Sequence, residues 1–262
     1  MQNIEFEINA INVAVVTLNR PNIHNAFDEI TIAELMSVFD IVNDDNNIRA
    51  LILRASGKTF SAGADINWMK KMASYSQSEN EADALQLGRM LHKLYTLNKP
   101  TIARVQGAAY GGALGIIACC DIAVGSKLSK FCLSEAKFGL LPATIAPYVV
   151  KAIGVREAKR LFMTAEVISA RRARRLGLLS EIVSESELDS TIGLMIGRIL
   201  KNGPRAVSQA KALALMVDEA AISEELMEKT SKINAMARTS EEGQEGLSSF
   251  LSKRDPSWLT DV

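Results

Sequence analysis

Short apolar runs alternate with amphipathic runs through the first two thirds of this 262-residue chain. Residues 50–54 and 101–105 are nearly continuous apolar runs, which is typical of strands that are covered on both faces. Asp28 is a suitable N-cap for a helix that runs to residue 43, and residues 79–97 form a second helical pattern. Residues 4–18 predict an opening β-hairpin. This order of strands and helices favours an α/β fold.

The last third of the sequence has a different character. Strand patterns stop after about residue 185, and four helical patterns follow at residues 185–200, 205–217, 222–237 and 241–252. We therefore expect two regions, namely an α/β core over residues 1–195 and a helical region over residues 196–262.

Charge and composition exclude several classes of protein. The chain has 30 Lys and Arg residues against 30 Asp and Glu residues, so it lacks the positive field that general nucleic-acid binding requires. The N-terminus has no basic stretch followed by an apolar run, and no apolar run is long enough to span a membrane. The three cysteines fit reduced thiols, and the two histidines, His24 and His92, lie too far apart to suggest a metal site. We expect a cytoplasmic protein without a metal.

Two segments rich in small residues carry the main chemical signal. Phe60–Asp65 and Gly107–Gly115 each stand where a strand is expected to give way to a helix. Such turns leave backbone N–H groups free, and two N–H groups aimed at one point form an oxyanion hole. Glu135 follows in a largely apolar stretch, where burial would raise the pKa of its carboxyl and suit it to proton transfer. These features together predict the chemistry of a thioester enolate.

The sequence does not match two common phosphate-binding motifs. Ser56–Thr59 ends like a phosphate-binding loop, but the glycine that begins such a loop would fall at Ile52, inside a predicted strand. The glycines of residues 107–115 do not have the spacing of a dinucleotide-binding fingerprint.

The order of the motifs resembles the enoyl-CoA hydratase/isomerase (crotonase) superfamily over nearly the whole chain. The segments that carry the resemblance are residues 60–69, 98–112, 120–123, 134–142 and 164–170. Within the family, the sequences of residues 65–72 and 141–150 most resemble those of the bacterial methylglutaconyl-CoA hydratases of leucine breakdown. The resemblance implies an α/β spiral of ββα units, with a C-terminal helical region that forms homotrimers or dimers of trimers.

The resemblance also implies roles for individual residues. The amides of Ala64 and Gly112 would form the oxyanion hole, and Glu135 would be the catalytic acid and base. The substrate would be an acyl-CoA thioester, which contains coenzyme A, so no further cofactor is expected. It would contact Ala26, Lys58, Ala62, Asp65, Ile66, Trp68, Gly111 and Ala143. Phe250 and Lys253 would reach the coenzyme A bound to a neighbouring subunit.

Gly115 leaves the reaction open. Hydratases of this family with two catalytic glutamates carry one of them at this position. A single glutamate most simply shuttles a proton, as in a Δ3-Δ2 enoyl-CoA isomerase, but it can also serve hydration in two successive steps. We rank hydration of a short, branched acyl-CoA first and isomerisation second. A thioesterase or decarboxylase and a non-catalytic acyl-CoA-binding homologue stay as alternatives.

A basic cluster at residues 171–175 departs from the family pattern. We interpret it as a solvated helix face, since the neutral net charge and the lack of interleaved aromatic residues argue against a nucleic-acid partner.

Overall fold

Two β-sheets organise the chain in the computed structural model, which describes residues 1–218 and 220–259. The larger sheet has six strands in the order β1-β2-β3-β4-β6-β9, and the smaller has three in the order β5-β7-β8. The strands are β1 (Ile4–Ile8), β2 (Val13–Leu18), β3 (Ala50–Ala55), β4 (Thr101–Val105), β5 (Ala108–Tyr110), β6 (Ile122–Ser126), β7 (Lys130–Cys132), β8 (Ile168–Ser169) and β9 (Glu181–Val183).

The predicted hairpin and α/β core are confirmed. Strands β1 and β2 pair antiparallel, while β2, β3, β4, β6 and β9 pair parallel, with Ile52 opposite Ile102. Parallel neighbours need a crossover connection, and helices supply most of these here. Both faces of the central strands are covered, which accounts for their nearly continuous apolar sequences.

Eleven α-helices lie among the described residues. They are α1 (Glu29–Asp44), α2 (Ile66–Ser74), α3 (Gln77–Tyr95), α4 (Gly112–Cys119), α5 (Ala146–Ile153), α6 (Val155–Thr164), α7 (Ala170–Leu176), α8 (Leu188–Leu200), α9 (Pro204–Asp218), α10 (Glu224–Thr239) and α11 (Glu241–Leu251).

Local capping sets the starts of the two long core helices. The Asp28 carboxylate accepts a hydrogen bond from the Thr31 amide at 2.8 Å, so α1 begins where the sequence predicts. Helix α3 begins at Gln77, two residues before the predicted start, because Ser76 and Glu79 form a reciprocal capping box.

The smaller sheet is a feature that the sequence analysis did not predict. Its strands have three, three and two residues, which is too short to show a periodic pattern. Strand β5 nevertheless pairs parallel with β7, and this pairing fixes the positions of the segments that follow each strand.

The C-terminal helices differ in how much they bury. Ile192 and Ile196 of α8 pack into an apolar cluster beneath β4 and β6. The described side chains of α9 and α10 include none that is fully buried. The predicted regional boundary at residue 195 falls within α8, and the division into two regions stays a prediction.

A comparison of two glycines tests the packing around the predicted oxyanion segments. A Cβ on Gly107 would lie 1.8 Å from the backbone oxygen of Lys58, and φ here is +60°. We expect Gly107→Ala to lower the free energy of unfolding by more than about 1 kcal/mol.

Gly193, inside α8, is the matched control, since a Cβ there meets nothing within 4 Å. Gly193→Ala should raise the free energy of unfolding by about 0.4–1 kcal/mol. Urea titration of both variants at one protein concentration measures this, and equal effects would contradict the close approach at Gly107.

Candidate active site

The candidate active site lies where three neighbouring extended segments end on the same side. Ser61 forms a parallel bridge with Ala109 of β5, and Ala109 stands opposite Phe131 of β7. The Tyr110 amide donates to the Ser61 carbonyl at 2.9 Å, and the Gly111 amide donates to the Cys132 carbonyl at 2.9 Å. Because the three segments run parallel, the residues that follow them meet at one edge.

The Ala64 amide is left free by its pairing with Phe27. The Phe27 amide donates to the Gly63 carbonyl, and the Asp65 amide donates to the Phe27 carbonyl, both at 2.7 Å. In a parallel bridge with these two bonds, the N–H of the middle residue points away from the partner strand. The described residues provide no acceptor for it.

The Gly112 amide is free for a different reason. Gly112 is the first residue of α4, so its N–H has no acceptor within the helix. The residue before it, Gly111, has φ of +54°, which side chains rarely tolerate and which turns the chain sharply from β5 into α4. A helix N-terminus also favours negative charge.

Glycines bring the two amides and the predicted acid together. A Cβ on Gly111 would lie 3.3 Å from Oε1 of Glu135 and 3.9 Å from the Cα of Gly63. A Cβ on Gly63 would lie 3.0 Å from the Tyr110 carbonyl oxygen. Larger residues at either glycine would therefore force the three groups apart.

Glu135 is a partly buried carboxylate without a full set of partners. It begins a 3-10 turn (Glu135–Phe138) directly after β7. Its Oε2 atom is buried and has no hydrogen-bond donor among the described residues. Burial raises the pKa of the Glu135 carboxyl above its ordinary value of 4.5. A carboxylate in this state can exchange a proton nearer neutrality than an exposed one.

Position 115 is filled by another side chain. Gly115 is buried within α4, and a Cβ there would lie 2.4 Å from Cγ2 of Ile145 and 3.4 Å from Cδ2 of Leu91. Ile145 is itself 2% exposed and lines the cavity beside Glu135. The space that a second glutamate would occupy therefore belongs to an apolar side chain.

One cavity of about 1190 Å³ joins most of the predicted site residues. Ala64, Gly112 and Glu135 all line it. So do the predicted substrate contacts Ala26, Ala62, Asp65, Ile66, Trp68, Gly111 and Ala143. His24 also lines the cavity, as do Met69 and Met72 of α2. The structure thus brings these residues together, while their individual roles remain predictions.

Three predicted contacts lie outside this cavity. Lys58 is exposed on the turn before the first oxyanion segment. Phe250 is 81% exposed at the end of α11, and Lys253 follows it with φ of +53°. Neither Phe250 nor Lys253 lines the cavity of the single chain, and their contact with the coenzyme A of a neighbouring subunit stays a prediction.

Arg20 is a residue of the site that sequence analysis missed. Its guanidinium forms ion pairs with Asp28 at 2.8 Å and with Asp65 at 2.9 Å, and it also donates to the Ala26 carbonyl at 3.0 Å. Asp65 meanwhile caps α2 through the Asn67 amide. The Asp65 side chain is thus engaged in holding the loop to the first oxyanion segment. A single arginine in a loop gives no sequence signal for this role.

The remaining candidates behave as ordinary structural groups. Burial raises the pKa of the Cys119 and Cys120 thiols, so both stay protonated at neutral pH. Within the basic cluster, Arg172 pairs with Glu157 at 2.9 Å. Among the described residues, no helix has the length and apolar character to cross a bilayer, and no group of acidic, histidine and cysteine side chains could hold a metal.

Comparison with known proteins decides the family. The family model described as "Enoyl-CoA hydratase/isomerase" matches residues 8–261. The chain belongs to the enoyl-CoA hydratase/isomerase family. A crystal structure of an enoyl-CoA hydratase from Shewanella pealeana has a TM-score of 0.95 and 42% identity, covering 98% of this chain and 96% of that one. The predicted crotonase-like α/β fold with C-terminal helices is confirmed.

Relatives within this enoyl-CoA hydratase/isomerase family include both reaction types. The chain is 32% identical to the crotonyl-CoA hydratase of Syntrophomonas wolfei over 95% of each chain. It is 30% identical to a mitochondrial Delta(3,5)-Delta(2,4)-dienoyl-CoA isomerase of Dictyostelium discoideum, over 93% of this chain and 86% of that one. Hydratase activity on an acyl-CoA is thus supported in general, and isomerisation remains within the range of the family.

The contact between positions 115 and 145 can be tested by a double-mutant cycle. Gly115→Ala should destabilise the protein because its Cβ meets Ile145, whereas Ile145→Ala removes Cγ2, the nearest atom that it meets at 2.4 Å. We expect the double variant to be less destabilised than the sum of the single variants by about 0.5–3 kcal/mol, measured by urea unfolding.

Combining Gly115→Ala with Ile192→Ala, in the separate apolar cluster under α8, provides the control and should be additive. Additive effects in both pairs would show that Ile145 does not fill the space at position 115.

Proposed function

We propose that this protein is an enoyl-CoA hydratase in which Glu135 is both acid and base. The observation that carries the proposal is that two free backbone amides and a partly buried carboxylate with an unpaired oxygen line the same cavity. Amide pairs of this kind stabilise the negative charge that develops on a thioester oxygen, and losing one donor typically costs about 3 kcal/mol.

The proposed reaction uses one carboxylate twice. Ionised Glu135 accepts a proton from water as the water oxygen bonds to C3 of the enoyl group. The electron pair of the C2–C3 double bond then moves toward the thioester, whose oxygen receives hydrogen bonds from Ala64 and Gly112. Protonated Glu135 returns the same proton to C2. The thioester stays intact, and the net change is the addition of one water.

We further propose that the acyl group is short and branched. Trp68, Met69 and Met72 provide a broad apolar wall on α2, and methionine side chains adapt to irregular shapes. Ile145 adds a further apolar side chain to the lining of the cavity. These features, with the sequence resemblance, support a branched acyl group with the carbon skeleton of methylglutaconyl-CoA.

The rest of the ligand and the assembly follow from the resemblance. Coenzyme A is part of the substrate, and no further cofactor is proposed. Its adenine and pantetheine would contact Ala26, Ala62 and Ile66, and Lys58 would approach its phosphates. Phe250 and Lys253 would complete the site from a neighbouring subunit of a homotrimer or a dimer of trimers. We place the enzyme in the cytoplasm.

Isomerisation is the second candidate, and the filled position 115 favours it. With Ile145 in the place of a second acid, Glu135 has no carboxylate partner at that position. A single carboxylate could remove the C2 proton of a 3-enoyl thioester and return it at C4.

Product analysis in H₂¹⁸O tests the proposed function. After incubation with 3-methylglutaconyl-CoA, crotonyl-CoA and 3-hexenoyl-CoA, we expect mass spectrometry to show one labelled water added to a 2-enoyl thioester. A shifted double bond with unchanged mass would instead identify an isomerase. Free coenzyme A or carbon dioxide would identify a thioesterase or a decarboxylase, and binding without turnover would identify a non-catalytic homologue.

Glu135→Gln tests the carboxylate directly. The variant keeps the shape but cannot accept a proton, so kcat should fall by about 10²–10⁴-fold while acyl-CoA binding is largely kept. In the unmodified enzyme, kcat/KM should fall as the pH is lowered through the raised pKa of Glu135, since the base form is needed.

Glu187→Gln serves as the control, because this exposed glutamate caps a turn outside the cavity. Retained turnover in Glu135→Gln, or a pH profile that does not change between pH 4 and pH 8, would sink the assignment.

A further inference from the structure

The wall that α3 contributes to the cavity changes character along its length. Asn80, Asp83, Ala84 and Leu87 face the cavity at the spacing of one helix face. The wall is therefore polar toward the start of α3 and apolar toward Leu87. Asp83 is the one acidic side chain that the described part of α3 contributes to this wall.

Asp83 is incompletely paired. Its Oδ1 accepts a hydrogen bond from the indole Nε1 of Trp68 at 3.1 Å, which ties α3 to α2. Trp68 is 5% exposed, so the bond holds one carboxylate oxygen against a buried ring. The described residues include no ion-pair partner for Asp83 and no donor to its other oxygen. The Asp65 carboxylate, by contrast, forms an ion pair with Arg20 and accepts a hydrogen bond from the Asn67 amide.

The position of Asp83 along α3 separates it from the reacting carbons. Leu91, on the same helix, is the residue that a Cβ at position 115 would meet at 3.4 Å. Asp83 precedes Leu91 by eight residues, which corresponds to about 12 Å along the helix axis. A carboxylate at that distance from position 115 cannot replace a second catalytic glutamate, but it can face the far end of an acyl chain.

The charge of Asp83 then decides which far ends the cavity accepts. A carboxylate only accepts hydrogen bonds, so its free oxygen matches a hydroxyl or another donor group. Two carboxylates brought together away from bulk water repel each other strongly. Among the described residues of the cavity wall, Lys137 forms no ion pair with Asp83, and Arg20 is paired with Asp28 and Asp65.

We propose that Asp83, held by Trp68, is a specificity-determining residue that favours acyl groups with a hydrogen-bond donor at the far end and disfavours those with a carboxylate. The inference rests on the proposed function for the class of ligand, an acyl-CoA. It also makes a neutral or hydroxylated branched acyl group a better substrate than methylglutaconyl-CoA.

Binding of unreactive ligands tests the proposal apart from turnover. Saturated acyl-CoA thioesters with five to eight acyl carbons, ending in a methyl, hydroxyl or carboxyl group, are titrated by calorimetry. Among ligands long enough to reach Asp83, we expect the hydroxyl ligand to bind most tightly. The dissociation constant of the carboxyl ligand should be about tenfold or more above that of the methyl ligand.

Asp83→Asn is the informative variant, since its amide oxygen can still accept the Trp68 bond while its NH₂ group can donate to a carboxylate. It should narrow or invert the difference between the hydroxyl and carboxyl ligands. The matched control is Glu81→Gln, which alters an exposed acid on the same helix outside the cavity and should leave all ratios unchanged.

Two results would overturn the proposal. In the first, the ratios between the dissociation constants of the three ligands are the same in Asp83→Asn as in the unmodified protein at every chain length. The role of Asp83 would then be limited to its hydrogen bond with Trp68. The other is tight binding of the carboxyl ligands that is lost in Lys137→Gln. Because these are binding measurements, the ratios can hold even if the H₂¹⁸O experiment shows that the reaction is not a hydration.

Discussion

The parallel pairing of three short segments determines the geometry of this site. Ser61, Ala109 and Phe131 stand side by side, so the chain that follows each of them reaches the same edge. The first and second segments each leave a backbone amide without an acceptor, and the third delivers Glu135. Since backbone pairing fixes all three, the site depends less on side-chain packing than on a ladder of hydrogen bonds. Gly63 and Gly111 have no side chains, which allows the three segments to approach closely.

The incompletely paired carboxylate of Glu135 is tolerated because the apolar core around these segments offsets its cost. Burying Glu135 Oε2 without a donor costs free energy, and the raised pKa reports the same penalty on the charged form. The protein meets this cost with the extensive core around the sheet, which includes Phe60 and Phe131 in the segments that lead to the site. The carboxylate is consequently ready to take a proton, and substrate or water can supply the missing donor.

The sequence predicted helix α1 because it is long enough to show a helical period. It predicted strands β3 and β4 because nearly continuous apolar runs mark strands that are covered on both faces. The family resemblance implied that Ala64, Gly112 and Glu135 meet at one cavity. The smaller sheet could not be predicted, since two- and three-residue strands have no period. The ion pairs of Arg20 and the tie between Trp68 and Asp83 join residues 8 to 45 positions apart, and only the folded backbone shows them.

The absence of a second acid at position 115 and the position of Ile145 are directly related. Gly115 has no side chain, and the space above it is taken by a buried isoleucine from the loop before α5. A glutamate at 115 would have to displace that isoleucine and would leave another carboxylate in an apolar wall. In the proposed reaction Glu135 is therefore both acid and base, while the incompletely paired carboxylate of Asp83 lies in the first half of α3. In these proposed roles Glu135 transfers the proton and Asp83 recognises the acyl end, so either function can change without altering the amides of Ala64 and Gly112.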